Sequence, residues 1–239
     1  MILPYCGAPP VPGSLWLRWN LDPVLLAGLA MLAAAHWKVA PARLRASAMA
    51  GWAVTALALV SPLCALSVSL FSARVAQHMV MILVGAPLVA AALPGPAGSR
   101  WLWPVTAVFA AFLWIWHLPA PYTATLQSVP VYWSMHVTLF VSAVALWREL
   151  LSVRNRPLTL IAAGTAASMQ MALLGAVLAL AGRPLFWWHL TTTADWGLTP
   201  LADQQLGGTL MWVPGGALFL WLALRTTAHA LAEPRGAAA

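Results

Sequence analysis

Three histidines lie inside apolar stretches of this 239-residue chain: His78 in FSARVAQHM, His117 in WIWHLPAPY and His136 in VYWSMHVTL. A fourth, His189, sits in FWWHL, and a polar run, Asp203-Gln204-Gln205, stands directly against LGGTLMWVPGGALFLWLAL. Imidazole is a ligand for copper, zinc and iron alike. Nine methionines accompany the histidines, among them Met79, Met81, Met135, Met169, Met171 and Met211. Thioethers favour reduced copper, although Met more often fills irregular cores. The same histidines would equally serve as hydrogen-bonding groups that fix the packing of helices. The Asp-Gln-Gln run also has two readings. It caps the start of the helix that follows, with the amides bridging neighbours, or it orients histidine rings or water around a site. Cys6 and Cys64 are the only cysteines. Without a CxxC or a Cys-rich framework, thiol ligation is not the theme. A disulfide between them needs close and specific geometry and is not expected. No nucleophile–base pair, phosphate loop or HExxH is present, so no turnover chemistry is expected.

The elements that must position these residues are membrane helices. The chain is 62% hydrophobic and 7% charged, with 12 Lys+Arg against 5 Asp+Glu and a mean hydropathy of +0.82. That is too little charge to solvate a globular surface. A pI near 10.8 raises the question of nucleic acid, but the basic residues fall in short clusters between apolar runs, which excludes it. Seven segments reach spanning length: about 21–37, 47–70, 74–93, 101–118, 130–148, 158–181 and 205–226. Residues 1–20 read as an extended extracytoplasmic tail rather than a signal peptide. Residues 21–228 form the transmembrane domain and 229–239 a cytoplasmic tail, frayed at its end. With the N-terminus outside, the inner side holds Lys38, Arg43, Arg45, Arg100, Arg148, Arg154, Arg156, Arg225 and Arg235, and the outer side only Arg18, Arg74 and Arg183. The positive-inside rule therefore predicts an all-α, seven-span protein oriented N-out, C-in.

This orientation gathers His78, His117, His136, His189 and the Asp203 run at the outer membrane face. His36 and His229 fall at the inner face and read as ordinary interface residues. Gln204, Gly208 and Met211 are spaced to share one helix face. Gly207, Gly208, Gly215 and Gly216 allow close helix approach, and Pro214 should kink the last span or free a carbonyl.

The segments FSARVAQHM, GAPLVA, WIWHLPAPY, AGRPLF and above all WGLTPLADQQLGGTLMWVPGG resemble the CtaG-type cytochrome c oxidase assembly factor family, from about residue 21 to 216. The resemblance implies a helper in maturing haem–copper oxidases in the inner membrane of a Gram-negative bacterium. It would handle copper at the periplasmic face and meet oxidase subunits or other assembly factors within the bilayer. His78, His117 and His136 are then the candidate metal ligands. Arg74, Gln77, Asp203, Gln204, Gln205 and Met211 are the supporting set. Many members of that family carry a His where this chain has Arg74. A fixed positive charge one turn from His78 opposes cation binding, and Arg74 is expected to pair with Asp195 or Asp203. Three rivals stay open: haem held by two of the three histidines, a transporter with a polar vestibule, and a scaffold without a ligand.

Overall fold

A computed structural model describes residues 3–95, 99–152 and 154–232. Among these the regular structure is entirely helical. The expected tail 229–239, with Arg235, lies largely outside the described residues, as does the side chain of His229.

The helices are α1 (Pro23–Val39), α2 (Arg45–Val60), α3 (Pro62–Ser69), α4 (Phe71–Val80), α5 (Ala86–Ala91), α6 (Leu102–Trp116), α7 (Pro119–Gln127), α8 (Val129–Leu150), α9 (Pro157–Leu180) and α10 (Pro200–Ala232). Four are long and apolar enough to cross a membrane: Phe71–Ala91, Val129–Leu150, Pro157–Leu180 and Pro200–Ala228. Counting each bent pair, α2 with α3 and α6 with α7, as one span raises the number to six. The first predicted span, α1, is apolar but only 17 residues long, so length and composition support four to six crossings where seven were expected.

The bends have local causes. Pro62 follows Ser61, whose hydroxyl accepts from the Leu63 N–H, and the chain turns by 49°. Within HLPAPY the chain starts a new helix. Pro119 occupies the first turn of α7, which leaves α6 at 73°. Pro is suited to a first turn because the N–H it lacks would have no partner there. Between α4 and α5 the span widens into a π-turn, Met81–Gly85, in which the Ala86 N–H reaches Met81 O. In that register Ile82 O faces the nitrogen of Pro87, which has no hydrogen. The Trp147 indole supplies the missing donor at 2.8 Å.

The N-terminal tail is not extended. It holds a 3-10 turn, Pro12–Leu17, and folds over one end of the bundle. Asn20 N and Nδ2 donate to Val60 O and Leu59 O, closing carbonyls freed where α2 stops. Pro10 O accepts from Ser69 Oγ and Trp196 Nε1. This docking brings Cys6 to Cys64, and the two are disulfide-bonded with Cα atoms 5.5 Å apart. The expectation of unpaired cysteines fails because a 58-residue separation says nothing of a tail that returns.

The last span begins at Pro200, five residues before its expected start, with Asp203 in its first turn and Gln204 and Gln205 following within α10. The helix continues through Pro214. Gln204, Gly208 and Met211 do share a buried face. At the crossing of α9 and α10, a Cβ on Gly208 would stand 2.5 Å from Gly175 O and 2.6 Å from Ala179 N. A Cβ on Gly207 would meet the Phe71 ring at 2.6 Å, whereas one on Gly216 would meet nothing within 4 Å. Gly208→Ala is therefore expected to destabilise the protein by roughly 1–3 kcal/mol, since backbone cannot yield as a side chain can. Gly216→Ala should be neutral or slightly stabilising. Thermal melts in detergent measure both, and equal melting temperatures for the two variants would refute this packing.

Candidate functional site

The site is built at a corner. Helix α3 stops at Ser69, Leu70 is extended, and α4 starts at Phe71. Such a break leaves N–H groups of one helix and carbonyls of the other without intrahelical partners. Asp203, fully buried, closes the donors. Its carboxylate accepts from Phe71 N at 2.6 Å, from Ser72 N at 3.1 Å and from the Ser72 hydroxyl. The aspartate therefore caps a helix, but α4 across the bundle rather than its own. Negative charge is favoured at that end of the helix dipole. The carbonyls of α3 are closed from two sides. Arg74 Nε donates to Ser67 O at 3.3 Å, and Trp188 Nε1 donates to Val68 O at 3.1 Å. Ser69 O accepts from the Thr192 hydroxyl and from His189 Nδ1.

Arg74 is 1% exposed. It does not make the expected pair with Asp195 or Asp203. Its Nη1 donates to Thr125 Oγ1 at 2.6 Å, and the guanidinium lies over the Tyr122 and Tyr132 rings at 5.3 and 5.8 Å. Aromatic faces and the negative end of α3 stabilise the cation.

His78, His117 and His136 come together beside this corner. The His78 ring stands between the other two, with its centroid 5.9 Å from that of His117 and 5.2 Å from that of His136. All three are buried. His117 Nδ1 lies 2.7 Å from Leu113 O, and His136 Nδ1 lies 3.0 Å from Tyr132 O, in both cases four residues back along the helix. A carbonyl can only accept, so Nδ1 carries the hydrogen and Nε2 holds the lone pair. This is the arrangement that prepares a histidine to ligate. His136 Nε2 and both ring nitrogens of His78 have no protein partner. The His78 ring thus neighbours both other rings, yet among the described residues no group of three or more His, Cys, Asp or Glu has metal-holding geometry. His117, at the end of α6 where the chain bends, meets His78 edge-on.

His189 differs in kind. Its Nε2 lies 2.7 Å from the Tyr122 hydroxyl, and Nδ1 faces Ser69 O at 3.1 Å and Thr192 Oγ1 at 3.3 Å. Nδ1 holds the loop 187–192 to the end of α3, and Nε2 holds it to α7. Burial, with the Arg74 charge adding, pushes its pKa down to about 3. His36, expected at an interface, is buried and accepts from Trp52 Nε1.

The supporting residues divide similarly. Gln204 Oε1 accepts from Leu185 N at 2.6 Å and its Nε2 donates to Leu178 O, so it ties α10 to the end of α9. Gln77 donates to Ala58 O, leaving a buried Oε1 without a partner. Met211 is core. Gln205 is half-buried beside this group. Tyr132, which the sequence reading missed, packs tilted against His136 with ring centroids 4.2 Å apart. Its i, i+4 spacing from His136 is the signal that marks it.

The chain matches the family of cytochrome c oxidase caa3 assembly factors over residues 24–232. No curated protein and no solved structure gives a match.

Two outcomes follow from the corner. Asp203→Asn replaces a charged acceptor with an amide whose NH2 meets only donors, and it should cost about 1–3 kcal/mol in detergent melts. An unchanged melting temperature would remove Asp203 from its capping role. His189 is held neutral, so below pH 6.5 the unfolded chain takes up a proton that the folded chain refuses until about pH 3. Stability therefore falls as pH drops through that window, by about 1.4 kcal/mol per pH unit from this residue. His189→Gln should be less stable at pH 7.5 and should lose that part of the acid sensitivity. Equal pH slopes for the two proteins would refute the neutral assignment.

Proposed function

The chain belongs to the cytochrome c oxidase caa3 assembly factor family, and on that premise we propose that it receives copper for the maturing oxidase at the extracytoplasmic face of the bacterial inner membrane. Copper here is cargo. The observation that carries this reading is the pair His78 and His136. Their rings are 5.2 Å apart, and three of their four nitrogens are buried without a partner. Leaving such groups unpaired is costly, and imidazole lone pairs suit copper. Cu(I) tolerates few ligands, so His136 Nε2 and one nitrogen of His78 form its first contacts, with His117 Nε2 closing in as the α6–α7 bend adjusts. The Arg74 cation nearby disfavours tight retention, which suits a protein that must pass its ion on. Haem fits less well, because imidazoles already at ring-contact distance leave no slab for a macrocycle between them.

The orientation rests on the basic-residue bias, and the disulfide adds an independent support. Disulfides persist in oxidising compartments, and Cys6–Cys64 lies at the histidine end of the bundle. Reporter fusions at Arg45 should read cytoplasmic and fusions after Pro119 periplasmic.

The test of the function uses a strain that lacks the chromosomal gene. His78→Ala and His136→Ala should each abolish oxidase activity at unchanged membrane levels, and the purified variants should lose bound copper. His189→Gln, if it reaches normal levels, should retain both. Full oxidase maturation with His78→Ala would overturn the copper reading, and a Soret band on the purified protein would replace it with haem.

A further inference from the structure

A second group of soft donors sits directly over the histidines. Cys6 and Cys64 form the disulfide that pins the tail to α3. Their sulfurs lie 3.4 and 3.6 Å from the Tyr132 hydroxyl. A disulfide sulfur has no hydrogen, so the phenol donates to both. Asn20 Nδ2 adds a contact to Cys64 Sγ at 3.6 Å. The ring of the same Tyr132 lies tilted against that of His136, centroids 4.2 Å apart. Tyr132 therefore touches the sulfur pair through its hydroxyl and His136 through its ring.

The two sulfurs differ in access. Cys64 is fully buried, whereas Cys6 is half-buried and borders a cleft of about 280 Å3 lined by Tyr5–Gly7 and Leu17–Asn20. Arg18 lies in that cleft, held by its bond to Ala8 O. A fixed cation beside a sulfur favours the thiolate over the thiol. It also attracts an attacking thiolate. The cleft thus leads a reductant to Cys6 while Cys64 stays covered.

We propose that Cys6 and Cys64, once reduced, form a two-thiolate entry site for Cu(I) above the His78–His136 pair. A dithiol of the extracytoplasmic space supplies the electrons. Its thiolate attacks Cys6 Sγ, the S–S bond to Cys64 breaks, and the mixed disulfide is resolved by the donor's second sulfur. The donor leaves as a disulfide, and its two protons reside on Cys6 and Cys64. Cu(I) then binds both sulfurs and displaces those two protons to water. No further oxidant or reductant is needed. Thiolates are soft ligands selective for Cu(I), and with Cα atoms 5.5 Å apart the two side chains need only rotate away from each other for both sulfurs to reach one ion. The oxidised pair has no such affinity, so loading is gated by redox state. The inference rests on the copper reading for the identity of the ion, but not on the histidines as ligands.

The test uses the full chain in detergent under anaerobic conditions. One sample is reduced with a phosphine that is then removed by gel filtration, and another is left oxidised. Both are titrated with Cu(I) against a chromogenic chelator. Reduced wild type should label with two equivalents of maleimide once unfolded in SDS, and in its folded form should bind one more Cu(I) than oxidised wild type. That increment should vanish in the Cys6→Ser/Cys64→Ser variant and in reduced protein capped with maleimide. It should persist in His78→Ala/His136→Ala, which tests the lower site separately. Equal Cu(I) uptake by reduced, oxidised and capped protein overturns the proposal. So does failure of the phosphine to expose both thiols. Loss of copper only from the histidine variant would leave the function standing and remove the entry site.

Discussion

The structure depends on one constraint: a helix that breaks inside an apolar bundle must find partners for its freed backbone groups without water. At Ser69–Phe71 this is met by long-range side chains. Asp203 from α10 takes the donors of α4, and Arg74, Trp188, His189 and Thr192 take the carbonyls of α3. The two buried charges each face the helix end of opposite polarity, so neither needs the other as a counter-ion. Because Asp203 and His189 lie far along the chain from Phe71 and Ser69, closing this corner also docks α10 and the preceding loop. That docking sets where α4 points, and α4 carries His78.

The histidines show how similar residues acquire different roles. His117 and His136 each give Nδ1 to the carbonyl four residues back, and Nε2 stays a lone pair. His189 meets a phenol on one side and a carbonyl on the other. In sequence all three sit among Trp and Leu. What separates them is the neighbour, a Tyr hydroxyl in one case and another imidazole in the others.

The spans were legible because hydropathy and length act locally. Every expected segment contains a helix, and the breaks at Pro62 and Pro119 stand beside prolines. The break at Leu70 has no such mark, and the π-turn at Met81–Gly85 only an indirect one in Pro87. Helix counting put His78, His117 and His136 toward one end of the bundle, where the His78 ring meets the other two. Asp203 was read as a cap, but its client helix was 131 residues away and invisible to local reasoning. The disulfide and the surroundings of Arg74 were missed for the same reason: both arise from chain return. Arg74 was expected to pair with a carboxylate, whereas Thr125, Ser67 O and the Tyr122 and Tyr132 faces account for its burial.

The widened turn at Met81–Gly85 sets the two halves of its span out of phase. A π-turn is equivalent to one added residue in an otherwise regular helix, or about 100° of rotation. The first half can therefore present His78 to other imidazoles while the second half presents Gly85 and Val89 to α2, two faces that an uninterrupted helix could not aim independently. The ligand-facing half and the packing half of this span can thus be tuned separately by mutation. Trp147 braces that offset by donating to Ile82 O, the carbonyl that meets Pro87 in the widened register.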